Sequence, residues 1–457
     1  MHGGGRSAST GFGQRDEDRR TSLLVLTPSH SAHGGAEQIL ETLRQGLPRH
    51  GFQVEFGLAR GTTFNTPSRY RASFPGMEAI EIDGRSGTRE GRIASLRKTL
   101  RGRRPDIVLS CRLFDALEAV RQIKLHGQEV RLGVTLFANE PDYVYDLIHY
   151  EDTVDVCVAD STLAARVVRR ATALPEDRVV SIPGGVHRPR VARTEVGPDR
   201  ALRLAYVGRL EQVQKRVLDL SATLEGLQGR GVPFTCRVVG AGSAEAPLRQ
   251  SIAVAGLQDR VSFEGWLPRE ALYEDVYPQL DVLLHFAEWE GNPIAPREAM
   301  AHGVVPVMSR FRGCRAEGAF EDGSTVLLFD VGDTDEAARQ VARLHADRAH
   351  LRRLSEGTRA SLTESSFVGG AVAAWAHTLT RVCAMPLRKP RDARPRLPAS
   401  GALASLGIPP RMAARLRKLL GRQPVPREPG DEWPHWSGLA SREELDAIQQ
   451  WASALDS

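Results

Sequence analysis

The stretch that decides the architecture runs from Val282 to Val307, VLLHFAEWEGNPIAPREAMAHGVVPV. It opens on a short apolar run, breaks at Gly291-Asn292-Pro293, continues with helical spacing and closes on a second apolar run. Strand, turn, helix and strand in so few residues form a βαβ unit, whose two strands lie parallel. Strands that read as unbroken apolar runs are those covered on both faces. Working outward, the same alternation recurs as RLAYVG, FTCRVVG, RVSFEG, VVPVMS and TVLLFD between about 200 and 330. Earlier in the chain it recurs as LLVLTP, QVEFGLA, AIEID, IVLSC, LGVTLF, VDVCVA and VVSIPG. The prediction is an α/β protein of two doubly wound domains. A cleft is expected between the carboxyl ends of the two sheets, where such folds bind ligands. At 457 residues the chain exceeds what one hydrophobic core serves.

Residues 1–20 are rich in Gly, Ser, Arg and Asp without periodicity and read as a disordered tail. The first domain is expected over 21–190 and the second over 191–365, joined through the polar HRPRVARTEVGPDR at 187–200. A helix carrying Trp375 follows over 366–384. Residues 385–457 read as an extension: a basic, proline-rich linker, then a short helix over 411–422 with Met412, Leu416, Leu419 and Leu420 on one face. A last helix starts at Ser441 with a capping box closed by Glu444, and turns Leu445, Ile448, Ala452 and Leu455 inward. Three of the six tryptophans, Trp433, Trp436 and Trp451, fall in this final part, which marks it as a docking segment.

Composition narrows the class. With 41% hydrophobic and 26% charged residues the chain is globular, and no apolar run reaches the 18 residues a membrane-spanning helix needs. The apolar Leu23–Leu26 is too short for a signal segment, so a cytoplasmic location is expected. Five cysteines without a C-x-x-C pair define neither a disulfide framework nor a zinc site. A net charge of +5 points to anionic partners, and by itself leaves nucleic acid, membrane surface and phosphorylated substrate open. The basic 411–422 helix could lie on an anionic membrane or pack on the protein's own surface. Only five of the 61 basic residues are lysines, at 98, 124, 215, 389 and 418.

Two elements carry chemistry. Glu290 closes the loop after VLLHFA, and Glu298 lies two helical turns further on. A helix start after a glycine-bearing loop offers free backbone N–H groups, and carboxylates there accept strong bonds from sugar hydroxyls. Two glutamates at this spacing also occur merely to solvate a helix. The second element is VGRLEQVQKR, where Arg209 and Lys215 follow the strand RLAYVG. Two fixed cations at the carboxyl end of a strand stabilise a leaving diphosphate as it gains charge. In a basic protein such a pair is otherwise plain surface; the rarity of lysine argues for a task. Asp333-Thr334-Asp335 precedes a helix and reads as an N-cap, not a metal-binding D-x-D. Gly240-Ala241-Gly242 falls short of a dinucleotide fingerprint and reads as a tight turn.

Taken in order, GGAE (Gly34–Glu37), VADS (Val158–Ser161), IPGGV (Ile182–Val186), VGRL with Lys215, VVGAG (Val238–Gly242), DRVSFEGWL (Asp259–Leu267), EGNPIAPREAMAHGVVPV and GCRAE resemble the family-4 retaining glycosyltransferases of the GT-B fold. The resemblance covers about residues 21–384. It implies two Rossmann-like domains, an acceptor half and a nucleotide-sugar half, with the 366–384 helix crossing back to the first. Arg209 and Lys215 would grip the donor diphosphate. Glu290 would bond the transferred sugar with help from Gly291, Asn292 and Pro293, and Glu298 the ribose. Gly265 and Leu267 would flank the base, and Gly35 would let the first loop approach the substrates. Retention of configuration, no bound metal and no cofactor beyond the donor are implied. The acceptor would be a glycan, a lipid-linked or a small molecule, with no nucleic-acid partner. In many relatives a histidine follows the fifth strand; here LFANEPDYVY has none, leaving Asn139, Glu140 or His149 in its neighbourhood. The glycine that usually follows the lysine is Arg216. A silent sugar- or partner-binding scaffold, and an epimerase or phosphorylase on the same architecture, are the other readings of this sequence.

Overall fold

The computed structural model describes residues 20–32, 34–137, 140–194, 200–391, 412, 426–436 and 440–456. The tail before Arg20, Asn139 and, except for Met412, the 411–422 helix lie outside the described residues. The first sheet has seven strands: β1 (Thr21–Thr27), β2 (Phe52–Arg60), β3 (Ala79–Asp83), β4 (Ile107–Cys111), β5 (Arg131–Leu136), β6 (Val156–Ala159) and β7 (Val179–Ser181). Their spatial order is β3-β2-β1-β4-β5-β6-β7. The second sheet has six: β8 (Leu202–Val207), β9 (Phe234–Val239), β10 (Val261–Gly265), β11 (Val282–His285), β12 (Val305–Ser309) and β13 (Leu327–Phe329), ordered β10-β9-β8-β11-β12-β13. Every pairing is parallel. The two Rossmann-like α/β domains expected from the alternation are therefore present.

The strands earn their places by burial. All five residues of β4 and of β12 are buried, as central strands covered on both faces require. In each sheet the order reverses once, between β1 and β4 and between β8 and β11. Loops leaving the carboxyl ends of such neighbours diverge to opposite faces and open a crevice. The second crevice is thus framed by the loop after β8, which holds Arg209 and Lys215, and the loop after β11, which holds Glu290.

After the second sheet, the helix Val368–Ala384 returns to the first domain. Val372, Trp375, Ala376, Leu379 and Val382 join Leu40, Leu43 and Leu47 in one buried cluster. A Cβ on Gly46 would stand 2.6 Å from Val372, so the helix Gly35–Gly46 ends on a residue without a side chain where the two come close. The last segment also packs on the first domain. Trp433, Trp436, Ile448 and Ala452 are buried within its core cluster, with Leu445 and Leu455 packed against it, and the helix Arg442–Asp456 lies across Thr162–Ala171 and Pro141–Ile148. Ser441 and Glu444 close the expected capping box (Glu444 N–H to Ser441 Oγ, 3.3 Å; Ser441 N–H to Glu444 Oε2, 2.8 Å). Asp333 caps its helix by accepting from the Glu336 N–H at 2.9 Å. Among the described residues no helix is long and apolar enough to cross a membrane.

Candidate functional site

Glu290 is buried, at 6% exposure, and its carboxylate is gripped by the Lys215 ammonium. On its other side His285, the last residue of β11, brings Nε2 to 3.5 Å. Burial by itself would push the Glu290 carboxyl up, but the Lys215 charge together with the hydrogen bonds from His285 and Lys215 outweighs it and holds the pKa down at about 2, so Glu290 is ionised. The two loops are stitched by backbone as well: the Glu288 N–H donates to the Gln214 carbonyl at 2.9 Å, and Gln214 Nε2 donates to the Trp289 carbonyl at 3.0 Å. Arg209 is turned outward and half exposed, holding Glu211 and Gln214 at 2.6 Å each. It borders an interdomain cavity of about 580 Å³, lined also by Glu140, Gln214, Ser243, Pro247 and Trp289.

Beyond Glu290 the loop presses against the first domain. A Cβ on Gly291 would stand 2.5 and 2.6 Å from the two carboxylate oxygens of Asp160, the residue following β6. Asp160 is enclosed, and burial together with the charges of Glu317 and Glu290 pushes its pKa well up, which favours the protonated form. Asn292 is 7% exposed, yet among the described residues neither its Oδ1 nor its Nδ2 has a hydrogen-bond partner. A buried amide with both functions unspent costs folding free energy and is preorganised for a ligand that supplies a donor and an acceptor, as a sugar hydroxyl does. Pro293 then starts the helix Ile294–Ala301, and a Cβ on Gly35 would stand 3.1 Å from Ile294, so the first loop of the first domain reaches this turn.

The remaining predicted residues sit elsewhere. Glu298 is 3% exposed and accepts from the Tyr277 hydroxyl at 2.7 Å. Leu267 packs on the cluster that holds Tyr273 and Tyr277, and the Gly265 carbonyl accepts from the Gly240 N–H at 2.8 Å. The structure therefore joins Lys215 to Glu290, sets Arg209 at the cavity, and gathers Glu298 and Leu267 around the two tyrosines; it does not draw the two cations and two acids into one ring of contacts. Gly240 and Gly242 are accounted for by backbone crowding, since a Cβ on either would strike the carbonyl oxygen of Gly208 or Leu210 at 1.8 and 2.2 Å. Asp160, the unspent amide of Asn292 and the pairing of Arg112 with Glu37 at the first crevice were not singled out in the sequence; each depends on which loops meet across the fold.

Glu298 yields a pH prediction. Burial pushes its pKa up from 4.5 to about 7, with the Tyr277 hydroxyl opposing. A raised carboxyl pKa stabilises the fold below the unfolded value, and that contribution is lost as pH rises towards 7. Unfolding free energy should fall by roughly 3 kcal/mol across this window. Glu298→Gln should lack this component. Urea denaturation at pH 4.5, 5.5 and 7 checks it; equal slopes in both proteins would refute the reading.

Two parallel-sheet domains facing each other, with an ionised acid–lysine pair at the second crevice, define a GT-B-type architecture. Residues 192–361, which cover the second domain, match the family of glycosyl transferases group 1. Among curated proteins, the 2-deoxystreptamine glucosyltransferase of Streptomyces kanamyceticus is 32% identical over 202 residues, 44% of this chain and 50% of the relative. The chain thus spans half the length of that relative. Among solved structures, Anabaena Alr3699/HepE in complex with UDP and glucose superposes with a TM-score of 0.63 at 18% identity, covering 79% of this chain and all of that one. Sucrose-phosphate synthase from Thermosynechococcus elongatus gives 0.65 at 16% identity, over 80% and 100%. Likeness at these identities establishes the fold.

Proposed function

We propose that the protein transfers a sugar from a nucleotide-diphosphate donor to a hydroxyl of an acceptor, with retention of configuration and without a bound metal or cofactor. The observation that carries this is the Lys215–Glu290 pair and the Asn292 amide, which has no partner among the described residues, at the crevice of a domain that matches glycosyl transferases group 1. Donor diphosphate entering the cavity meets Arg209, whose present partners Glu211 and Gln214 are surface groups it can leave at small cost. Lys215 and Arg209 then face the oxygen that gains charge as the bond to the sugar breaks. Ionised Glu290 and the Asn292 amide accept from and donate to the sugar hydroxyls and fix its orientation. The acceptor hydroxyl attacks from the face the diphosphate leaves, which retains configuration. The relatives add support: one is named a glucosyltransferase, and one solved structure holds UDP and glucose.

A thermal-shift panel of nucleoside diphosphates and their sugars tests the donor half, since ligand at a hundredfold its Kd adds about 2.7 kcal/mol to stability. At least one nucleotide-sugar should raise the melting temperature and be slowly hydrolysed without acceptor. No shift from any of them would end the proposal, and binding without turnover under any acceptor would favour the scaffold.

A further inference from the structure

The loop after β2 makes an unusual set of contacts. The backbone N–H groups of Thr62, Thr63, Phe64 and Asn65 all point inward and donate to one carboxylate, that of Glu432, at 2.6, 2.5, 3.2 and 2.7 Å. Asn65 Nδ2 adds a bond at 2.9 Å and Thr62 Oγ1 one at 3.2 Å. Six neutral donors converge on two oxygens. The loop closes on itself through the Gly61 N–H to the Asn65 carbonyl at 2.9 Å, and a Cβ on Gly61 would stand 1.8 Å from Glu432 Oε2. Asn65 Oδ1 is held in turn by the Ser29 N–H at 2.8 Å, which fixes which face of its amide donates. Successive inward N–H groups in a tight loop form a concave anion site. Burial of Glu432 opposes ionisation, yet these donors hold its pKa near 2.

Position matters as much as valence. The loop stands at the carboxyl end of β2, on the cleft side of the first sheet, next to the β1 loop that runs on to Gly35 and Ile294 of the second domain. His30 in that loop is close enough to feel Arg112, Glu37 and Glu432 together. The segment bearing Glu432 crosses the same edge. Trp433 fits where Gly84 has no side chain, Arg89 lies 4.0 Å over Trp436, and His435 Nδ1 is 3.1 Å from Asp146. The helix Arg442–Asp456 then reaches the second domain, where the Asp456 carboxylate accepts from the Gly313 and Ala316 N–H groups at 2.7 and 3.4 Å. Residues 426–436 and 440–456 thus form a strap on the first domain, fastened at Glu432 and Asp456 by backbone amides.

We propose that the 62–65 nest is the binding site for the phosphate of a phosphorylated acceptor, and that Glu432 is a built-in stand-in which that phosphate displaces. The inference rests on the glycosyl-transfer reading for its acceptor, and on the six converging donors for its ligand chemistry. A phosphate carries more oxygens and charge than a carboxylate, so it engages the same donors while freeing the strap from the acceptor edge.

The test uses the full chain and inorganic phosphate. Isothermal titration should show Glu432→Ala binding phosphate at least tenfold more tightly than the wild type. Phosphate should also restore part of the melting temperature that this variant loses. Asn65→Asp keeps the acceptor for Ser29 but turns a donor into a repelling oxygen; Glu432→Ala with Asn65→Asp should bind no phosphate. If Glu432→Ala folds poorly, Glu432→Gln preserves the shape while weakening the occupant and should show the same order. Equal affinity in wild type and Glu432→Ala, or binding that survives Asn65→Asp, would overturn the proposal and leave Glu432 as an anchor only. The nucleotide panel run on the same variants separates the two ideas: donor binding with no phosphate binding sinks the nest alone.

Discussion

Replacing Lys215 by alanine is expected to lower sugar transfer by about two orders of magnitude or more, the scale on which removing a fixed electrostatic stabiliser of a transition state registers. It should also destabilise the second domain. Lys215 and Glu290 are both largely buried, with side-chain exposures of 16% and 8%, and their pairing keeps Glu290 ionised. Removing one partner strands the other's charge, at a typical cost of about 3–5 kcal/mol for a buried pair. Two readouts therefore move together in the single variant. They separate in the double variant Lys215→Met with Glu290→Gln, where no charge is left unpaired. Stability should return most of the way while transfer stays at the floor. Transfer that recovers along with the melting temperature would show that the pair only holds the loops together.

Asp281→Ala should do the opposite. Asp281 is fully buried just before β11 and is the acceptor for a set of guanidinium groups: Arg203 Nη2 at 2.9 Å and Arg193 Nη2 at 3.2 Å, with the Arg203 N–H also donating at 2.9 Å. Arg193 also reaches the Gly303 carbonyl and Ser355, so this carboxylate ties the segment between the domains to the second sheet. Its loss should cost about 3–5 kcal/mol and roughly 10 °C in Tm. Because Asp281 precedes β11 and Glu290 follows it, the chemistry lies at the other end of the strand. At low temperature the folded fraction should turn over at the normal kcat. A loss under about 1 kcal/mol, or an altered kcat, would contradict this account.

How much of this could be seen beforehand depends on where the information resides. The central strands were visible because parallel strands covered on both faces are nearly unbroken apolar runs, as IVLSC and VPVMS are. Lys215 stood out through scarcity, and Glu290 through its glycine-bearing turn before a helix. The three late tryptophans marked a docking segment, and two of them prove to be buried against the first domain. What stayed hidden was contact across the fold. Asp160 matters because a loop of the other domain presses on it, and Glu140 because Arg209 borders the same cavity. The 62–65 nest had no signature at all, since its donors are mostly main-chain N–H groups that Thr-Thr-Phe-Asn shares with any sequence. Glu298 was expected to face a ribose; its engagement with Tyr277 follows from a helix face that no spacing rule ties to that tyrosine.

The return of Val368–Ala384 to the first core makes the chain's order differ from its construction. The first half is completed only by residues synthesised after the second, because Trp375 and Leu379 fill the layer above Leu40 and Leu43. A hybrid that exchanges the donor-side half with another protein must therefore be spliced twice, once within 187–200 and again within 361–367. A single join would close each product's first domain with a foreign helix. On a ribosome, the same arrangement means that the first half waits for its last layer until the second has emerged.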